Sequence, residues 1–188
     1  PSLRQLTSIH RALSPLQLPV LLQQFIEEIA KLIPSRGSLL ILLDRRQEEP
    51  EYVVTHGQAA TSIGNDILTL LPRDVFLEVL ERRAVIFNSP RELQERISAR
   101  PLKEFAHQNL LVGSIRHRQH LAFLIIADRV GEKGFLPQDL EIFTSIAEGA
   151  ALAIENARLF SDLHETEHRH RELLHGLVNA QEQESKKI

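Results

Sequence analysis

Cysteine, methionine and tryptophan are absent from all 188 residues, and one tyrosine and eight phenylalanines are the only aromatics. With no thiol, disulfides, thiolate zinc centres and cysteine nucleophiles are excluded, and the chain fits a reducing compartment such as the cytoplasm. No apolar run approaches the roughly twenty residues a membrane-spanning helix needs, and no signal peptide opens the chain. The formal charge of −3 is close to neutral, with neither a basic stripe for nucleic acid nor an acidic tail for cations. With no initiator methionine and a start at Pro1, the sequence reads as a piece of a longer protein. Its length suits one well-buried domain plus an extension.

Proline is missing again from the last quarter, where nothing after Pro137 interrupts a run dominated by Leu, Ala, Glu, Gln, Arg and Lys. Residues 136–188 are expected to form one very long helix, with Gly149 and Gly176 as its only glycines. Its first half is apolar and rich in small residues: Phe143, Ile146, Ala147, Ala150, Ala151, Ala153, Ile154, Ala157 and Phe160 recur at three- and four-residue spacings. That half must pack on a core. The second half is mostly charged, and its apolar residues thin to Leu163, Leu173, Leu174, Leu177, Val178 and Ile188. A stripe this narrow is the seam of a two-stranded coiled coil, so the helix is expected to leave the domain and pair with a second copy in a parallel homodimer. One register runs through Leu163, His170, Leu177 and Glu184 with Thr166, Leu173 and Ala180; another runs through Ala157, Phe160, Leu174 and Val178. Two close registers are what a switching helix needs.

Upstream, Leu3, Leu6, Ile9 and Leu13 predict a weakly amphipathic helix. After Pro15, a second helix opens with Pro19 in its first turn and puts Leu21, Leu22, Phe25, Ile26, Ile29, Leu32 and Ile33 on one broad face. The apolar run 39–43 reads as a buried central strand, and EYVVTHG as its hairpin partner. Residues 58–72 read as an irregular crossover. A short helix follows Pro72, with Val75, Phe76, Val79 and Leu80 on one side, then a strand AVIFN. The next helix carries Leu93 and Ile97 inward before Pro101, with Leu102 and Phe105 beyond it. Residues 110–115 and 121–127 predict an antiparallel hairpin about a basic turn, Arg116 to His120. This mixture of hairpins and crossovers predicts an α+β fold on an antiparallel sheet of five to six strands.

The run GFLPQDLEIFTSIAEGAALAIENARLF resembles the closing helix of a GAF domain: Phe135, Asp139, Leu140 and the Ala-Ile-Glu-Asn-Ala of residues 153–157 carry the likeness. The stretch LLHGLVNAQEQESKKI resembles the lead-in to the dimerisation and phosphoacceptor helix of bacterial sensor histidine kinases. The resemblance implies residues 1–162 as a GAF sensory domain and 163–188 as a coiled-coil connector. The parent would be a two-component sensor histidine kinase, or carry another output such as a phosphatase or a nucleotide cyclase. It also implies a cavity between the sheet and the helices on its far face, lined by Tyr52, His56, Leu70, Phe76, Phe87, Phe105 and His107. Such a wall would suit an apolar or aromatic small molecule with one or two polar handles. Tetrapyrroles attached through cysteine are excluded, and no cyclic-nucleotide motif of the Asn-Lys-Phe-Asp type is present. His56 or His107 could ligate haem iron, against the commoner reading of a hydrogen-bonded histidine. A pocket-free dimerisation linker is the alternative. A small-molecule reductase of the same fold lacks its thiol here.

His164 and His168 have the i, i+4 spacing of metal ligands, yet the zinc-protease pattern lacks its third ligand, and a solvated helix face is the simpler reading. His117 and His120 lie with Arg116 and Arg118 in the basic turn, which could meet an anion or a partner but reads more simply as exposed. The GEKG sequence lacks the Lys-Ser or Lys-Thr of a phosphate loop, and no nucleophile elbow is present. No catalytic or metal site is expected.

Overall fold

The computed structural model describes residues 18–57, 71–97, 102 and 106–185; the side chains of 164, 168 and 175–185 lie outside that description. The elements are α1 (Leu18–Leu32), β1 (Ser35–Leu43), β2 (Pro50–Gly57), α2 (Arg73–Arg82), β3 (Ala84–Phe87), α3 (Pro90–Arg96), β4 (Leu110–His117), β5 (His120–Arg129) and α4 (Pro137–Ser185). The sheet has five strands in the order β2-β1-β5-β4-β3, and all its pairings are antiparallel. It is an α+β fold with a long C-terminal helix. The helix expected before Pro15 and the crossover at 58–70 lie outside the described residues.

β1 and β5 are central and covered on both faces, which is why their sequences run apolar without alternation. On one face α2 and α3 pack over Leu39, Ile41, Val112, Phe123 and Ile125, with Val75, Val79 and Leu93 facing down. On the other, α1 and the first half of α4 cover Leu40, Leu42, Leu111, Leu124 and Ile126. Each large aliphatic side chain so buried contributes roughly 1.5–3 kcal/mol. α1 buries Leu18, Leu21, Leu22, Ile26 and Ile29, but Leu32 is exposed: the helix ends there, and Ile33 turns inward in its place. The β4–β5 turn is tighter than the five-residue basic turn expected. His117 pairs with His120, leaving Arg118 and Gln119 as the loop, and Arg118 adopts φ 51°.

Two devices seat α4. Phe143 lies directly over Gly113 of β4, and a Cβ at Gly113 would fall 2.0 Å from the ring, so only glycine admits this approach. At the helix start the buried Asp139 carboxylate accepts from Leu136 N at 2.8 Å and from Arg129 Nε at 2.6 Å and Nη2 at 3.2 Å. Phe135 is buried beside it, with its N–H and C=O both bonded to the Asn88 side chain. The Phe-x-x-x-Asp spacing thus anchors the helix N-terminus to β5.

Candidate functional site

The seven side chains expected to line one cavity do not share one wall. Phe87 is fully buried and Phe76 half-buried on the α2/α3 face, where the Phe76 ring lies 5.3 Å from that of Phe123. Tyr52 and His56 belong to the opposite face. They stand directly across from Leu42 and Ser38, and residues paired across an antiparallel ladder point to the same side. Leu42 and Tyr52 pack with the α1/α4 core. His107 is an exposed bend residue before β4, and its backbone N–H donates to the Asp128 carboxylate, as do those of Gln108 and Asn109. Leu70 and Phe105 lie outside the described residues. Of the two histidines considered as haem ligands, His56 lies on a sheet face and His107 in a surface bend. Among the described residues no group of three or more His, Asp or Glu is placed to hold a metal; the His164 and His168 side chains lie outside them.

A cleft of about 580 Å³ opens at the outer edge of β4, between α2 and α4, floored by Phe143 and Ala147 and edged by Leu80, Arg83, Ser114 and Arg116. It exists because β3 stops at Ala84, opposite Gly113; beyond that point the Ser114 N–H donates to Arg83 O at 2.7 Å and the ladder ends. None of the seven expected residues lines it. Arg83 at its rim faces Glu148 across 3.3 Å in an exposed pair, which contributes little.

Among the described residues, a dense polar constellation lies elsewhere, where α4 leaves the sheet. Glu155, Arg158 and Asp162 share one helix face and meet the ends of both hairpins. Arg158 is buried, and its Nη2 donates to Leu43 O at 3.0 Å and to the Glu51 carboxylate. Its Nη1 lies 3.1 Å from His120 Nδ1. Glu155, also buried, accepts from Arg118 Nη1 at 2.7 Å, and its other oxygen is 2.8 Å from His117 Nε2. Asp162 accepts from Arg45 in a more exposed pair that raises the Arg45 pKa. Burial, and then the Arg158 charge, push the His120 imidazole below its ordinary value. The sequence reading assigned none of this to Glu155 or Arg158. The signal was present, because Arg158 follows Ala147, Ala151 and Ile154 in the same apolar phase of the helix, where a charge must find a buried partner.

The family model for the GAF domain matches residues 16–155, and the chain belongs to that family. Among solved structures it is similar to the GAF domain of a phosphoenolpyruvate-protein phosphotransferase from Coxiella burnetii, with TM-score 0.63 and 17% identity over 85% of this chain and 94% of that one. It is also similar to the GAF domain of a two-component sensor histidine kinase from Bacillus halodurans, with TM-score 0.56 and 17% identity over 74% and 97%. A third is a free methionine-R-sulfoxide reductase from Thermoplasma acidophilum, with TM-score 0.55 and 15% identity over 74% and 92%. No curated protein matches the chain. A GAF domain is a signal-sensing module found with diverse outputs, and identities this low speak for the fold alone. No helix among the described residues is long and apolar enough to cross a membrane.

Proposed function

We propose that the chain is the sensory and dimerisation module of a cytoplasmic two-component sensor histidine kinase, with residues 1–162 as the GAF unit and 163–188 as the coiled-coil connector to its output domain. The observation that carries this reading is the exposed apolar stripe on a helix that outruns its own core. Leu159, Phe160, Leu163, Leu173 and Leu174 are all exposed on α4, and at 1.5 Å per residue its 49 residues span about 74 Å. Leu152, Leu159, Thr166 and Leu173 follow one another at seven-residue spacing, with Leu163 and His170 in the companion series. The seam therefore reaches back from the connector onto the domain. Leu177 and Val178, the other expected seam members, have side chains outside the described residues. Signalling would be a population shift between two packings of the paired helices. Light scattering at micromolar concentration should return a homodimer, and a strictly monomeric chain defeats the proposal. The kinase assignment is tested separately, by asking whether the parent protein phosphorylates itself on a histidine beyond this segment.

The second reading, a ligand-free dimerisation scaffold, is favoured by the separation of the described members of that wall, with Phe76 and Phe87 in one core and Tyr52 against the other. If a small molecule binds on the α2/α3 face, Phe76 and Phe87 are the described members of the expected wall that remain to meet it. Its class is then apolar or aromatic. A thermal-shift screen of small aromatic compounds that moves no melting temperature favours the scaffold.

A further inference from the structure

Arg158 carries only donors, so its Nη1, 3.1 Å from His120 Nδ1, needs the lone pair of a neutral imidazole. Both side chains are buried. The same guanidinium reaches Leu43 at the end of β1 and Glu51 near the start of β2, while His120 is the first residue of β5. One side chain of the exit helix thus gathers the ends of two hairpins. Protonating His120 would set donor against donor and a second cation beside a buried guanidinium, and both are strongly unfavourable where water is excluded.

We propose that His120 and Arg158 form an acid-released latch. With His120 neutral, the root of α4 is fastened to both hairpins; with His120 protonated, the Arg158 contact breaks and the root comes free. The signal sensed would be the proton itself, and the strands would pass it straight to the helix that leaves the domain. This deepens the reading of α4 as the signalling helix. Because the latch is internal to one chain, it stands or falls apart from dimerisation and from the identity of the output.

The charged groups facing His120 are Arg158 and Glu155 from α4, Arg45 from the β1–β2 connection and His117 from β4. Only Glu155 favours the protonated ring, and its carboxylate is already bonded to Arg118 and in contact with His117. Burial first and Arg158 second lower the His120 pKa from the ordinary 6.5. The latch's contribution to stability is therefore whole above that value and is lost as pH falls from it through the depressed folded value.

The test is amide hydrogen exchange along residues 153–163 of the 188-residue chain, corrected for the intrinsic pH dependence of exchange, across the range from neutral to mildly acidic. Protection should fall with acidification, by at most about tenfold per pH unit, since each opening takes up one proton. His120→Asn keeps an acceptor at the δ position and does not titrate, so its corrected profile should be flat. His117→Gln should retain the fall. Arg158→Ala should lose protection at neutral pH and respond no further to acid. A flat wild-type profile, or a fall that His120→Asn shares, overturns the latch, as does a folded Arg158→Ala protein with the wild-type response. If Arg158→Ala does not fold, the wild type and His120→Asn decide between them.

Discussion

The two halves of α4 share one backbone conformation and differ in what holds them. Up to Arg158, apolar and small side chains such as Phe143, Ile146, Ala150 and Ile154 are buried against β4, β5 and α1. From Leu159 outward the described apolar residues are exposed, among them Leu163 and Leu173. Isolated helices gain little stability from propensity alone, so the first half is stabilised by the sheet, and the proposed pairing would stabilise the second. A helix fixed at its root, with exposed apolar residues along its outer length, suits transmission. Movement at the hairpins is then carried as a change in how the free length is held.

The comparison breaks most forcefully at Phe143. Removing its ring by Phe143→Ala leaves a void over Gly113, where the sheet cannot collapse without moving β4, and should destabilise the domain by about 3–5 kcal/mol in denaturant unfolding. If the outer half instead governed domain stability, the midpoint would hardly move. Asp139→Asn comes next. It keeps the shape but leaves the Arg129 guanidinium, 13% exposed, without its charge partner, and should cost about 3 kcal/mol by the same measurement.

Leu163→Glu addresses the outer half and should do the opposite. The side chain is 55% exposed in the single chain, so its loss should alter domain unfolding by less than about 0.5 kcal/mol. In the proposed seam, each helix would lose about 2 kcal/mol of buried leucine and gain a buried charge facing its copy. Sedimentation velocity should show monomer with an unchanged fold. A mutant that remains dimeric would move the seam to the register through Phe160 and Leu174.

How far these regions could be read beforehand follows from periodicity. β1 was legible as a central strand because 39–43 are all apolar, but the same uniformity hid which of them faced which helix layer. β2 alternates, so Tyr52, Val54 and His56 could be grouped on one side. Which side depended on their pairing with Leu42, Leu40 and Ser38, and a fully buried strand does not announce its phase. Tyr52 and His56 therefore face the α1/α4 layer, and Phe76 and Phe87 lie on the other. Phe135 and Asp139 were legible as part of a motif, whereas their anchoring role, through Asn88 and Arg129, was set by tertiary contact. Arg158 was legible in phase. The reading of that half rested on its apolar and small residues, and Arg158 was not singled out among them.

The smallest expected effect lies at Gly176. α4 continues through it to Ser185, so its backbone is helical without the propensity of its neighbours. A glycine inside a helix is about 1 kcal/mol less favourable than alanine because it surrenders more backbone freedom on ordering. In the buried half such a deficit would be lost among tertiary contacts. In the outer half the same deficit should decide where the connector frays or bends. Gly176→Ala should slow amide exchange in the turns on either side by about fivefold, the equivalent of roughly 1 kcal/mol. Domain unfolding should be unchanged, and in the parent protein the output should be biased towards one state. Exchange unaltered around Gly176 would mean that a partner helix already holds this segment, and would remove the hinge while strengthening the coiled coil.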